Sequence, residues 1–151
     1  MKRTPLQRKT GLKTKTGFTR KAVKSKAKKP KITQIKKKLW EECKRIVRER
    51  HGSTCYTCGR TGLEGSNRHT GHFISSSICS VELRYDLDNL RPQCYACNIH
   101  KSGNWLAFET HLMIEKGCEF PTELKARNEL TKGKQYDILY YLAKLEEYKQ
   151  L

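Results

Sequence analysis

Asn89-Leu-Arg-Pro-Gln-Cys94-Tyr-Ala-Cys97-Asn98-Ile-His-Lys-Ser-Gly-Asn104 packs a Cys-x-x-Cys pair, a histidine, a lysine and several amides into sixteen residues. Two thiolates two residues apart are half of a tetrahedral zinc site. The other half lies upstream at Cys55-Tyr-Thr-Cys58, again followed by a glycine. Thirty-five residues separate Cys58 from Cys94. A structural Zn²⁺ on Cys55, Cys58, Cys94 and Cys97 would therefore staple a long insert, which carries Gly71-His72-Phe73, against the second pair. Four thiolates fill the tetrahedron, so this zinc is expected to hold the fold and not to react.

The 151 residues make one domain with room for a modest core, at 36% hydrophobic and 31% charged content. Net charge is +17, an excess that points to a polyanionic partner, and nucleic acid is favoured over membrane. No apolar run approaches a spanning length, and no helix is both basic and strongly apolar on one face. Seven cysteines are an odd number, four of them are paired in knuckles, and the basic start of the chain lacks the apolar core of a signal peptide. The expected location is a reducing cytoplasm. Cys43, Cys79 and Cys118 are left over and read as small buried residues.

Residues 1 to 31 hold thirteen Lys or Arg and no acid, so they read as a disordered basic tail, either a solubilising extension or an arm that lies along phosphates. From 32 to 151 a single domain is expected. Ile35, Leu39, Cys43, Ile46 and Val47 recur at helical spacing up to Gly52. Trp40 beside that stripe reads as packed, with stacking on a nucleobase as the alternative. Asn67 to Ile74 reads as a short strand bearing His72, and Ile78 to Tyr85 as a second strand or extended segment. A helix is expected from about Asn98 through Gly103 to Gly117, another after Pro121 with Thr122 as cap, and a last from Gln135 to about Gln150. That last helix should turn Ile138, Leu139, Leu142 and Leu145 inward. The class is α+β.

The pattern Cys-x-x-Cys-Gly, then Gly71-His72-Phe73, then Leu83 through Asn104 resembles the His-Asn-His (HNH) nucleases with a ββα-metal core, and among them the NinG/Rap family of phage recombination endonucleases. The resemblance spans about residues 55 to 104. It implies that His72 is the general base, that Asn89 holds the loop bearing it, and that Asn98 at a helix start binds a catalytic Mg²⁺ or Mn²⁺. An imidazole, with its ordinary pKa near 6.5, is suited to take a proton from water at neutral pH. Without the resemblance, His72 reads as structural, Asn89 as an Asx-turn residue and Asn98 as an N-cap. HNH enzymes place an acid or histidine directly before the base, where this chain has Gly71. The NinG-like pattern has an aspartate three residues before it, where this chain has His69. His69 is then the candidate second metal ligand, with Asp86 or Asp88 as alternatives, and a nitrogen-rich site would suit Mn²⁺, Co²⁺ or Ni²⁺.

Arg84 and Lys101 are candidate phosphate clamps or plain solvated charges, and His100 supports the fold or contacts phosphate. The expected function is a metal-dependent DNA endonuclease acting on branched recombination intermediates such as Holliday junctions or D-loops, in the cytoplasm of a phage's bacterial host. Symmetric resolution of a junction would call for two active sites and hence a homodimer. The competing readings are a catalytically inactive zinc-dependent DNA-binding or recombination accessory protein and an RNA-binding zinc-knuckle protein.

Overall fold

A computed structural model describes residues 31–151. The expectation of a basic arm over residues 1 to 31 falls, apart from Lys31, outside the described residues. Helix α1 (Ile32–His51) forms where the apolar spacing predicts, buries Ile35, Leu39, Cys43, Ile46 and Val47, and stops at Gly52, whose φ of 64° lies in the left-handed region. Helix α5 (Ile138–Lys149) packs against it. Tyr141, Leu145 and Tyr148 recur at helical spacing and carry the contact, which puts Leu139 on the far side at 67% exposure. Leu139 was expected inward, but it stands two residues, about 200° of helical rotation, before Tyr141 and so faces away from α1. The helix also starts later than Gln135, at a cap made by the Asp137 carboxylate on the Tyr140 N–H.

Strand β1 (Arg68–His72) pairs antiparallel with β2 (Leu90–Cys94), His72 opposite Leu90 and Arg68 opposite Cys94. The expected extended segment at Ile78 to Tyr85 is instead a single helical turn, α2 (Val81–Arg84). Val81, Leu83 and Tyr85 alternate like a strand, yet the Ser80 hydroxyl accepts the Leu83 N–H and so caps a helix. Asn128 fixes that cap from the other side by accepting the Ser80 N–H.

After Cys94 the chain winds through a wide helical turn at Ala96–His100 and then breaks. Ser102, Gly103 and Asn104 all have positive φ, which no right-handed helix tolerates in succession, so α3 (Trp105–Lys116) is a separate helix, not a continuation through Gly103. Helix α4 (Phe120–Thr131) takes Pro121 into its first turn, where a missing N–H costs nothing, so Thr122 lies inside the helix and caps nothing. Phe73, Ile74, Leu83, Phe108, Leu112 and Leu124 make a second core under β1, α2, α3 and α4. Cys43 is buried and Cys79 partly so, while Cys118 is exposed at the turn between α3 and α4, unlike the expectation for it.

Candidate functional site

The four knuckle cysteines converge. Their sulfurs all lie within 4.8 Å of one another, and Cys58 Sγ is 3.8 Å from Cys94 Sγ. Zinc–thiolate bonds of about 2.3 Å at tetrahedral angles place sulfurs about 3.8 Å apart, so the donor set fits Zn²⁺. Backbone N–H groups already point at the sulfurs: Cys94 donates to Cys55 Sγ at 3.3 Å and Cys97 to Cys94 Sγ at 3.4 Å. Burial opposes ionisation of Cys55, but the Cys94 N–H and the Thr57 hydroxyl outweigh it and bring the thiol down to about 6. The cluster ties the loop after α1 to the end of β2, with Leu63 and Ala96 packed around it.

The residues that follow Cys94 and Cys97, Tyr95 and Asn98, line a groove of about 860 Å³. His72, at the end of β1, lines it together with His69 and Asn98. His72 is held on two sides. Trp40 of α1 stacks on its ring, 5.3 Å between centroids and 8° from parallel. Its Nε2 lies 3.1 Å from the Arg84 carbonyl oxygen, which can only accept, so Nε2 carries the proton and the lone pair is left on Nδ1. Burial then holds the imidazole below its ordinary pKa, the Arg84 carbonyl opposing and the Arg84 charge reinforcing, so the ring is neutral at pH 7.

Asn89 is wholly buried and joins the two elements that frame His72. Its Oδ1 accepts the Ile74 N–H at 2.7 Å, and its Nδ2 donates to the carbonyls of Ile74 and Leu83 at 3.2 and 3.0 Å. It thus spaces the end of β1 from α2, whose last residue supplies the carbonyl for His72.

Both ring nitrogens of His69 are engaged. Nε2 sits 2.9 Å from the Ser66 carbonyl and so must donate, which makes Nδ1 the acceptor for the Asn98 amide nitrogen at 3.0 Å. The same bond fixes the Asn98 amide and leaves its Oδ1 as the uncommitted oxygen. Gly71 has no room for a side chain: an added Cβ would stand 2.0 Å from Gln93 Oε1. Gln93 is itself pinned, donating to Thr57 Oγ1 and to the Gly103 carbonyl. Asp86 is paired with Arg127, and Asp88 lies 3.9 Å from both Lys116 and Arg127, so the two aspartates face away from the groove, which no carboxylate lines.

Arg84 lines a smaller depression of about 320 Å³ that shares Trp40, His72 and Ser76 with the groove. His100 and Lys101 are exposed and do not line the groove, His100 packing its ring edge-on to Tyr95 instead. Among the described residues the groove's cations are Lys44, Arg48 and Arg68, which sequence reasoning passed over. Their signal was present: Trp40, Lys44 and Arg48 recur every four residues and therefore share a face of α1.

Known proteins resemble part of the chain. The ninG protein of Escherichia phage 933W is 31% identical over 84 residues, 55% of this chain and 40% of that protein. That of Escherichia phage lambda is 30% identical over the same share of each chain, and that of Salmonella phage P22 is 30% identical over 82 residues. The matched stretch thus spans about 40% of the length of these curated relatives. No solved structure matches the chain. The family model described as bacteriophage lambda NinG protein matches residues 1–150, so the knuckles and the groove they support lie within the matched span, and the chain belongs to the bacteriophage lambda NinG family.

Proposed function

We propose that the chain is a metal-dependent DNA endonuclease of the HNH type that hydrolyses phosphodiester bonds, its substrates being the branched intermediates of phage recombination. The observation that carries this reading is the presentation of His72: a neutral imidazole, stacked on Trp40, with Nε2–H bonded to a backbone carbonyl and the lone pair on Nδ1, in a groove lined by cations. His72 Nδ1 takes the proton from a water that attacks phosphorus in line, and Lys44, Arg48 and Arg68 hold the phosphates on either side. Asn89 keeps the Arg84 carbonyl where His72 needs it.

A divalent cation, Mg²⁺ or Mn²⁺, would be held by Asn98 Oδ1 with substrate oxygens and water, and would offset charge on the leaving 3′ oxygen. His69, whose Nδ1 meets the Asn98 amide, would hold that amide in place or, with Nδ1 turned to the cation, supply the second ligand expected from the sequence. The test is cleavage of labelled linear, flap and four-way DNA with Mg²⁺ and with Mn²⁺. No cleavage of any of them with either ion sinks the enzyme reading.

One observation favours a second reading. The groove lacks a carboxylate, and Gly71 cannot be exchanged for one without moving Gln93, which suits a zinc-stapled DNA-binding accessory protein. Junction binding without cleavage is the outcome that reading expects.

A further inference from the structure

The groove around His72 has two unlike walls. One is α1, with Lys44 and Arg48, extended by Arg68, whose guanidinium donates to the Gly52 carbonyl at the end of that helix. Arg48 makes no ion pair among the described residues. The other wall is the turn that follows Cys94, where Tyr95 and Ile99 line the groove at 45% and 48% exposure.

Cations alone suffice to follow a duplex backbone, which offers phosphates and no open base faces. A half-open aromatic ring and an aliphatic side chain add something a continuous duplex cannot use. An unpaired base does expose its π-face, and aromatic side chains in a basic groove are how single strands are held without regard to sequence. Tyr95 is set in advance for that contact. Its ring is braced edge-on by His69 at 5.5 Å and by His100 at 5.1 Å, and its backbone N–H donates to Asn67 Oδ1 at 3.0 Å. A ring already fixed loses little rotamer freedom on stacking. His69 touches Tyr95 and also fixes Asn98, so the stacking surface and the proposed reaction centre share a side chain.

We infer that the groove takes an unpaired DNA strand, with a nucleobase stacked on Tyr95 beside Ile99 and the phosphates running along Arg48, Lys44 and Arg68 on the facing wall. The choice of DNA rests on the nuclease reading and deepens it. The site selects phosphates next to unpaired nucleotides, at a gap, flap or branch, over those of continuous duplex.

The test uses the full zinc-loaded chain without added divalent ions, and fluorescence anisotropy on a single strand, a gapped duplex and a flush duplex of one sequence. Tyr95→Ala should weaken single-strand and gapped binding about tenfold and flush-duplex binding less than about twofold, while Tyr95→Phe retains wild-type affinity. Zinc content and helical signal confirm that each variant is folded. A 2-aminopurine placed in the gap should be quenched by the wild type and by Tyr95→Phe but not by Tyr95→Ala. Equal losses on all three DNAs, no loss on gapped DNA, or an RNA strand bound more than about tenfold tighter than DNA would each overturn the inference. Cleavage is read separately with Mn²⁺. Tyr95-dependent strand binding without cleavage upholds the stacking surface and sinks the nuclease; cleavage with Tyr95-independent binding does the reverse.

Discussion

His72 is constrained from below by its strand, from one face by Trp40 and at Nε2 by a carbonyl, so removing its ring deletes the proposed proton acceptor at the local cost of one stacking contact and one hydrogen bond. His72→Ala should keep zinc, fold and DNA affinity while lowering cleavage at least about a hundredfold, the usual cost of losing a general base. Single-turnover cleavage at saturating protein measures it. The pH profile follows from burial. Because the folded imidazole titrates below its ordinary 6.5, the neutral form persists to lower pH, and cleavage should climb with pH to a half-maximum below 6.5 and then stay level. Protonation is also resisted by the fold, so His72's contribution to stability is present above pH 6.5 and lost as the pH falls through the depressed pKa. A half-maximum above 6.5 in the wild type would mean that another group is the base. At the neighbouring position, Gly71→Ala should cost about 1–3 kcal/mol in denaturant unfolding, since its Cβ collides with a glutamine head held by two hydrogen bonds. Combining it with Gln93→Ala should cost less than the two single changes added, the signature of a direct clash. Spacing alone could not reveal why glycine stands before His72, because the reason sits across the sheet.

Elements were legible where one periodicity had one physical meaning. The α1 stripe and the two cysteine pairs were of that kind, as apolar spacing of three and four dictates a buried face and Cys-x-x-Cys dictates a knuckle. Val81–Arg84 was not, because three alternating apolar residues cannot say whether a serine hydroxyl will cap the turn before them. The break between Cys97 and Trp105 was likewise hidden: glycine at 103 is tolerable in a helix, and only the positive φ of Ser102 and Asn104 on either side ends it. In α5 the bulk of the core comes from tyrosines, whose amphipathic rings read as surface in a sequence but pack here against α1. Where the knuckles meet β2, an element-scale consequence can be measured. Cys94→Ser removes a candidate zinc ligand and the acceptor of the Cys97 N–H together. It should release the metal and unfold the loop between the pairs, because a structural Zn²⁺ contributes on the order of ten kcal/mol to folding. Zinc content and thermal melts read this out, and a soluble variant with full metal content would show that the two pairs do not share one ion.

Across the whole molecule, charge is divided unequally. Residues 1–31 hold thirteen Lys or Arg and no acid, whereas residues 32–151 hold nineteen against fifteen Asp and Glu, a net of only +4. On the endonuclease reading, most of the affinity for polyanions is expected from residues 1–31, and the chemistry, with a smaller share of phosphate contacts, from the groove. Deleting residues 1–31 should weaken binding to every DNA while leaving turnover at saturating substrate nearly intact, because none of His72, Asn89, Asn98 or the knuckle cysteines is lost. If roughly six of the thirteen basic residues touch duplex phosphates, the slope of log K against log salt should become shallower by about five, at about 0.9 per contact. Zinc content should stay full, since Cys55 lies beyond α1 and its contacts with α5. An arm that reads branch geometry would behave otherwise, losing junction affinity selectively with duplex affinity barely changed. Salt titrations of full-length and truncated chain on duplex and four-way DNA separate the two, and an unchanged slope after truncation rules out the phosphate-tracking arm whatever happens to cleavage.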